Sequence, residues 1–230
     1  MKVVLTESAF FGVMVSLIAY GIGLQVKKKF KIAVFNPLLV SIVLVMVALS
    51  VCHVEYDVYY EGAKYLSYLL TPATVCLAIP LYEQVEMLKG NWKAIVLGIC
   101  TGVVTSLASV LAFCVLFGLG HEEYATLLPK SITTAIGMGV SEELGGYVTI
   151  TVAVIIITGV LGNMIAELVC KLFRIEEPIA KGIAIGSSSH AIGTVKAMEM
   201  GELEGAMSSL SIAVAGLLTV AGASIFATFL

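Results

Sequence analysis

Residues 186–194 read Gly186-Ser187-Ser188-Ser189-His190-Ala191-Ile192-Gly193-Thr194, in the middle of the apolar stretch 179–198. Carried through lipid as an ordinary helix, this run would strand hydroxyls and an imidazole in hydrocarbon. Non-helical backbone is tolerated at membrane depth only where it is buried in protein or lines a wet cavity. Two further apolar stretches are interrupted in the same way. Thr71-Pro72-Ala73-Thr74 breaks 65–82, and Pro129-Lys130-Ser131-Ile132-Thr133-Thr134 breaks 127–140. The three are therefore expected to face one another or a pathway, not acyl chains.

The rest of the chain fits a membrane setting. It is 59% hydrophobic and only 13% charged, with a mean hydropathy of +1.04. A soluble domain is roughly half apolar and about a quarter charged, and surface-to-volume scaling limits how much apolar surface a chain this short can hide. Stretches 9–26, 37–51, 92–119, 148–173 and 206–230 approach or exceed the roughly 20 apolar residues a spanning helix needs, the second with help from Val34 and Phe35. The expected fold is all-α: one polytopic transmembrane helix bundle over 1–230, with broken or re-entrant helices.

Several function classes drop out. A net charge of -3 gives no footing for nucleic acid. Cys52, Cys76, Cys100, Cys114 and Cys170 are odd in number, scattered, and form no C-x-x-C pair, which argues against a disulfide framework or zinc site; no metal or cofactor is expected. Lys2, Glu7 and the lack of a small-x-small cleavage site before Lys27-Lys28-Lys29 predict a retained first helix in place of a signal peptide.

Each broken stretch is followed by a short acidic linker with glycine and then a long apolar helix. The linkers are Tyr82-Glu83-Gln84-Val85-Glu86 up to Gly90, Ser141-Glu142-Glu143-Leu144-Gly145-Gly146, and Glu199-Met200-Gly201-Glu202-Leu203-Glu204-Gly205. This suggests a repeated module. Basic loops mark the cytoplasmic side, so Lys27 to Lys31, Lys89 with Lys93, and Lys171 with Arg174 belong inside. The acidic loops 53–61 and 121–123 then lie outside. That works only if 127–140 enters and leaves on the outer side. The expectation is about seven crossings, one re-entrant segment, a C-terminus inside, and the inverted-repeat logic of secondary carriers.

Candidate chemistry sits in the breaks. A lysine at membrane depth costs about 3 kcal/mol on insertion scales. Lys130 either attracts a carboxylate or snorkels to the outer interface near His121 and Glu122. Ser187, Ser188, Ser189, His190 and Thr194, like Ser131, Thr133 and Thr134, supply hydroxyls and a half-helix N-terminus suited to an anion; close helix packing is the alternative. His190 has two readings, a coupling-proton carrier or a packing residue. Thr71 and Thr74 flank a proline that suits the first turn of a half-helix or simply kinks one. Lys196 reads as snorkelling beside Glu199, and Glu167 as an ion-pair partner of Lys171 at i+4. Asn36 and Asn163 read as packing or interface residues. An enzyme is not expected. Neighbouring serines and a histidine on one helix do not face each other, and neither G-x-S-x-G nor H-E-x-x-H occurs.

At these motifs the chain resembles LrgB/CidB-type membrane proteins, the family that includes the plant plastid glycolate/glycerate translocator. The matching stretches are Asn36-Pro37-Leu38-Leu39, Thr71-Pro72-Ala73-Thr74-Val75 through Ile79-Pro80-Leu81-Tyr82, Leu128-Pro129-Lys130-Ser131-Ile132-Thr133-Thr134, and Gly182-Ile183-Ala184-Ile185-Gly186 through Ser188-Ser189-His190-Ala191-Ile192-Gly193-Thr194. Glu202 to Leu210 extends the last. Ala135-Ile136-Gly137-Met138 departs from the family pattern, which leads one to expect a proline after the two threonines. The resemblance implies two descriptions. One is a carrier of small monocarboxylates such as glycolate, glycerate or pyruvate. The other is an antiholin-like or holin-like regulator of murein hydrolase activity and autolysis, acting beside a small LrgA/CidA-type partner. Either implies a multi-pass protein of the bacterial cytoplasmic membrane, in contact with the lipid bilayer and open to homo-oligomer formation. Of the two, the hydroxyl-rich breaks favour carriage.

Overall fold

A computed structural model describes residues 10–30, 35–76 and 78–230, apart from the side chains of Leu70, Thr71, Thr74, Pro80 and Leu81. The expectations for the first nine residues, for Lys31 and for Val34 fall outside the described residues. All regular structure among the described residues is helical. The chain divides into two compact units, Met1–Cys76 and Leu77–Leu230.

In the first unit, helix α1 (Phe11–Phe30) packs on α2 (Pro37–Cys52) and α3 (Tyr56–Ser67); the short α4 (Leu70–Cys76) closes the unit. Asn36 is the N-cap of α2: its side-chain oxygen accepts from the backbone N–H of Leu38 at 2.8 Å and of Leu39 at 3.4 Å. Pro37 follows at N1, where no N–H is missed. Ser16 and Tyr59 share a hydroxyl contact at 2.8 Å between α1 and α3. Pro72 lies in the first turn of α4, so the chain is interrupted at this motif as expected; the side chains of Thr71 and Thr74 lie outside what is described.

The second unit carries helices α5 (Ala78–Glu83), α6 (Val85–Phe117), α7 (His121–Leu127), α8 (Thr134–Glu143), α9 (Val148–Leu172), α10 (Pro178–Met200) and α11 (Glu202–Phe226), then a short 3-10 turn (Ala227–Phe229). Among the described residues three segments are long and apolar enough to span a membrane: Val85–Phe117, Val148–Leu172 and Glu202–Phe229. Along α6 a single stripe, Ile95, Ile99, Val103, Leu107, Val110 and Cys114, is buried against Met207, Ala215 and Ala223 of α11. On the other faces Leu116, Leu168 and Leu217 are exposed, at 73%, 66% and 74%. Leaving them in water would forfeit about 1.5–3 kcal/mol each; in lipid they cost nothing. This is an all-α bundle whose solvent is lipid.

Between the spans, the chain twice turns back on itself. Run as one helix, 121 to 144 would cover roughly 35 Å, yet the His121 imidazole lies 3.1 Å from the Leu144 carbonyl. The Tyr147 N–H donates to the Thr126 hydroxyl at 2.7 Å, and Thr151 donates to the Thr126 carbonyl at 3.0 Å. So α7, the break at 128–133 and α8 form a hairpin that starts and ends at the same face. The expected re-entrant segment is present.

The second reversal departs from expectation. Stretch 179–198 was expected to cross. In α10 the backbone turns over at His190, with φ 42° and ψ -143°. Twelve residues of helix span about 18 Å, but Ile185 and Ala197 share one buried cluster. Both Gly186 and Thr194 meet Ser208 of α11, the latter through a 2.7 Å hydroxyl contact. Hence α10 is a second helical hairpin with its tip at His190. One consequence is that the second unit crosses once fewer than expected, which moves the C-terminus. The Tyr124 hydroxyl donates to the Phe226 carbonyl at 3.0 Å. The end of α11 therefore lies with the mouth of the first hairpin, opposite Lys171 and Arg174, not beside them.

Candidate functional site

Two ends of the second unit can be told apart by charge. Gly98 of α6 faces Ile183 and Gly102 faces Ser187, so α6 runs alongside the first arm of α10. This sets Lys89, Lys93, Lys171, Arg174 and Lys181 at one end. The other end, with His121, Glu122, Glu123, Glu142 and Glu143, has no lysine or arginine in its connecting segments. The first hairpin enters from the acidic end and the second from the basic end. Outside the spanning segments, at the acidic rim, Tyr147 donates to the Glu122 carboxylate, and that bond raises the phenol above its ordinary pKa.

The two tips converge halfway along α9 and α6. Lys130 and Ser131, at the first tip, reach Ser106 of α6. The Lys130 ammonium donates to Ser131 Oγ at 2.9 Å and to Ser106 Oγ at 3.3 Å, and the two hydroxyls are 3.1 Å apart. Among the described residues no carboxylate pairs with Lys130. At the second tip the His190 imidazole Nε2 lies 3.0 Å from the Ile155 carbonyl. A carbonyl only accepts, so this nitrogen carries the proton. The Asn163 amide donates to the Ile192 carbonyl at 2.8 Å, holding the returning arm on α9.

Two glycines of α9 make this approach possible. A Cβ at Gly162 would fall 1.7 Å from Ser189 Oγ, and one at Gly159 would fall 2.7 Å from His190 Cε1. No other residue lets the tip sit this close.

A cavity of about 390 Å³ runs from Lys130 between the second half of α9 and the first arm of α10. One end holds Lys130, Thr158, Ser188 and Ser189; Leu161, Ile165, Ala166, Val169, Ala184 and Ile185 line the rest, with Leu161 and Ile165 half-exposed. It shares Cys170 and Ile175 with a second cavity of about 430 Å³ at the basic end. That outer cavity is charged. Lys196 pairs with Glu167 at 3.1 Å and Glu199 at 3.5 Å. Lys171 pairs with Glu167 at 2.9 Å, and Lys181 lies 3.9 Å from Glu204.

The structure sorts the residues singled out from sequence. Lys130, Ser188 and Ser189 line one cavity, and Ser131 holds the lysine there. Snorkelling does not describe Lys130: its ammonium points to Ser106, away from His121 and Glu122. Other expected residues serve the scaffold. Ser187 is buried against Gly102 and donates to the Ile183 carbonyl at 2.7 Å. Thr194 ties the second arm to Ser208 and to the His190 carbonyl at 3.0 Å. His190 is 3% exposed and faces α9. Thr133 is the N-cap position of α8 and Thr134 its first residue; neither lines the cavity. The half-helix expected to begin near Ser188 begins after His190 instead, because the serines finish the first arm. Lys196 and Glu167 take the ion-pair roles expected of them. Ser106 and Thr158 escaped notice. Their only signal was a hydroxyl in a long apolar helix, and Ser109, which merely donates to the Ser106 carbonyl, carries the same signal.

Comparison with known proteins identifies the family. The profile described as the LrgB-like family matches residues 16–229. Proteins named "Antiholin-like protein LrgB" from Bacillus mycoides, Bacillus cereus and Bacillus anthracis are each 40% identical over 226 residues, covering 98% of this chain and 98% of theirs. No solved structure matches.

Proposed function

The chain belongs to the LrgB-like family, and from that premise we propose that it is a secondary carrier of small monocarboxylates. One observation carries the reading. A lysine is held at the junction of two re-entrant tips, at one end of a cavity, with hydroxyls around it and no carboxylate partner among the described residues. A cation at membrane depth is costly and is retained where it meets a ligand or a counter-charge. A carboxylate entering from the basic end would supply that charge, with Ser189 and Ser131 as hydroxyl donors. The reading includes no catalytic step. Ser187 and Ser188 donate to carbonyls of their own helix, and His190 faces α9, so no serine–histidine pair is assembled.

The test uses purified protein in liposomes with labelled glycolate or pyruvate outside and a proton gradient of either sign. Saturable uptake supports the proposal. No saturable uptake under any gradient defeats it.

A second reading has its own support: the relatives at 40% identity bear the name antiholin-like. Here the chain acts in the bacterial cytoplasmic membrane beside a small LrgA/CidA-type protein and restrains murein hydrolases. If carriage underlies that effect, a strain carrying Lys130→Met should show the same autolysis as a deletion. If contact with the partner underlies it, Lys130→Met should behave as wild type.

A further inference from the structure

The cavity is much larger than glycolate or pyruvate requires, and its surplus is apolar. A cavity of about 150 Å³ suffices for benzene, and this one is about 390 Å³. Among the described residues Lys130 is the sole charged one lining it, and it sits among hydroxyls at one end. Beyond it the wall is Leu161, Ile165, Ala166, Val169, Ala184 and Ile185. A two- or three-carbon acid bound at Lys130 would leave that wall untouched. A second carboxylate placed there would lose its hydration with nothing to replace it.

We infer that the preferred substrates are monocarboxylates with an apolar tail of about four to six carbons, such as the longer straight and branched 2-oxo acids. The carboxylate lies at Lys130 and the tail lies along α9 and the first arm of α10. This inference rests on the carrier reading and adds the chemical class of the ligand. Dicarboxylates are excluded by the same wall.

Ala184 sets the room available. It lies one turn before Ser188, whose hydroxyl donates to the Ala184 carbonyl at 2.6 Å, and its methyl borders open cavity. A larger side chain there projects into the space meant for the tail and leaves the Lys130 end clear. Val169 borders the other wall, where threonine would match its shape and introduce a hydroxyl.

The experiment is counterflow in liposomes holding the full chain, with pyruvate, 2-oxobutanoate, 2-oxopentanoate, 2-oxohexanoate, 2-oxooctanoate and 4-methyl-2-oxopentanoate, and 2-oxoglutarate as the dicarboxylate. Burial of each added methylene predicts a KM about fourfold lower, up to the length that fills the cavity. 2-Oxoglutarate should not compete. Ala184→Leu should reverse the order, so that short acids outrank long ones; Val169→Thr should flatten it if Ala184→Leu fails to fold. A series in which pyruvate is best, or in which KM is independent of length, overturns this inference and leaves the carrier reading intact. A series in which no acid enters overturns the carrier reading itself.

Discussion

Replacing Lys130 by methionine separates a ligand-binding cation from a structural one, because the two roles move transport and stability in different directions. In the structure the ammonium donates to two serine hydroxyls and meets no carboxylate among the described residues. Methionine keeps the length of the side chain and removes the charge. Ser106 and Ser131 still bond to each other, 3.1 Å apart, so no buried polar group is orphaned. The insertion cost of a charge at this depth, about 3 kcal/mol, disappears with it. Stability is therefore expected to hold or rise. Transport should fall. A carboxylate about 4 Å from the ammonium gains about 4 kcal/mol at an effective dielectric of about 20. Desolvation takes part of that back, leaving the roughly 1.5–3 kcal/mol typical of a charged hydrogen bond. At about 1.4 kcal/mol per decade this is a rise in KM of roughly 10- to 150-fold. Liposome uptake gives the KM, and thermal unfolding in detergent gives the melting temperature. A lower melting temperature with KM unchanged would refute the reasoning, because Lys130 would then be holding the first tip in place.

Three further outcomes follow from the geometry. Gly162→Ala places a Cβ 1.7 Å from Ser189 Oγ, so it should destabilise the protein by about 1–3 kcal/mol; a wild-type melting temperature would show that α9 and the second tip do not pack this way. In a cysteine-free background, single cysteines at Glu143 and Thr228 should react with a membrane-impermeant reagent from one side and a cysteine at Arg174 from the other; labelling of Thr228 and Arg174 positions from the same side would remove the second hairpin. Glu167→Lys places a third cation beside Lys171 and Lys196 at the end a carboxylate enters, so it should speed uptake at low ionic strength and lose that gain in salt, while stability changes by no more than the 1 kcal/mol or so of a partly exposed pair; slower uptake at low salt would show that the substrate does not enter there.

How much of this was legible in the sequence depended on which signal each residue carried. The breaks were legible, because Pro129, the serines and His190 are polar or helix-breaking residues inside apolar runs, and lipid does not solvate them. Lys130 was legible as a candidate but not as an answer, since both of its readings share one sequence; only the direction of the ammonium separates them. The re-entrant character of 127–140 could be read from the lysines on either side of it. That of 179–198 could not, because a long α9 and a long α11 flank it, and a hairpin and a crossing leave the same apolar composition. The reversal depends on the backbone at one residue, His190, whose conformation is rare for a side chain with a Cβ and is held by α9 packing. The same packing explains why Ser187 and Thr194 were overrated. A hydroxyl that glues two helices and a hydroxyl that greets a ligand look alike until the partner is seen.

Why the tips meet at mid-depth follows from counting crossings. A hairpin returns to the face it left, so it contributes nothing to the sidedness of the chain. Between the hairpin at 121–143 and the hairpin in α10 lies one crossing, α9. One crossing is an odd number, so the second hairpin must enter from the face opposite the first. Each arm is only about ten residues, or roughly 15 Å of helix, which is half the hydrocarbon thickness of about 30 Å. Two hairpins of that reach, one from each face, end against each other at the centre and nowhere else. The contacts along α9 agree: Ile155, Gly159 and Gly162, in the middle of that helix, touch the second tip, and Ile155 also touches the first at Gly137. The cavity beside Lys130 is thus a consequence of arm length and crossing number, and moving it would require a longer arm or a second helix between the hairpins.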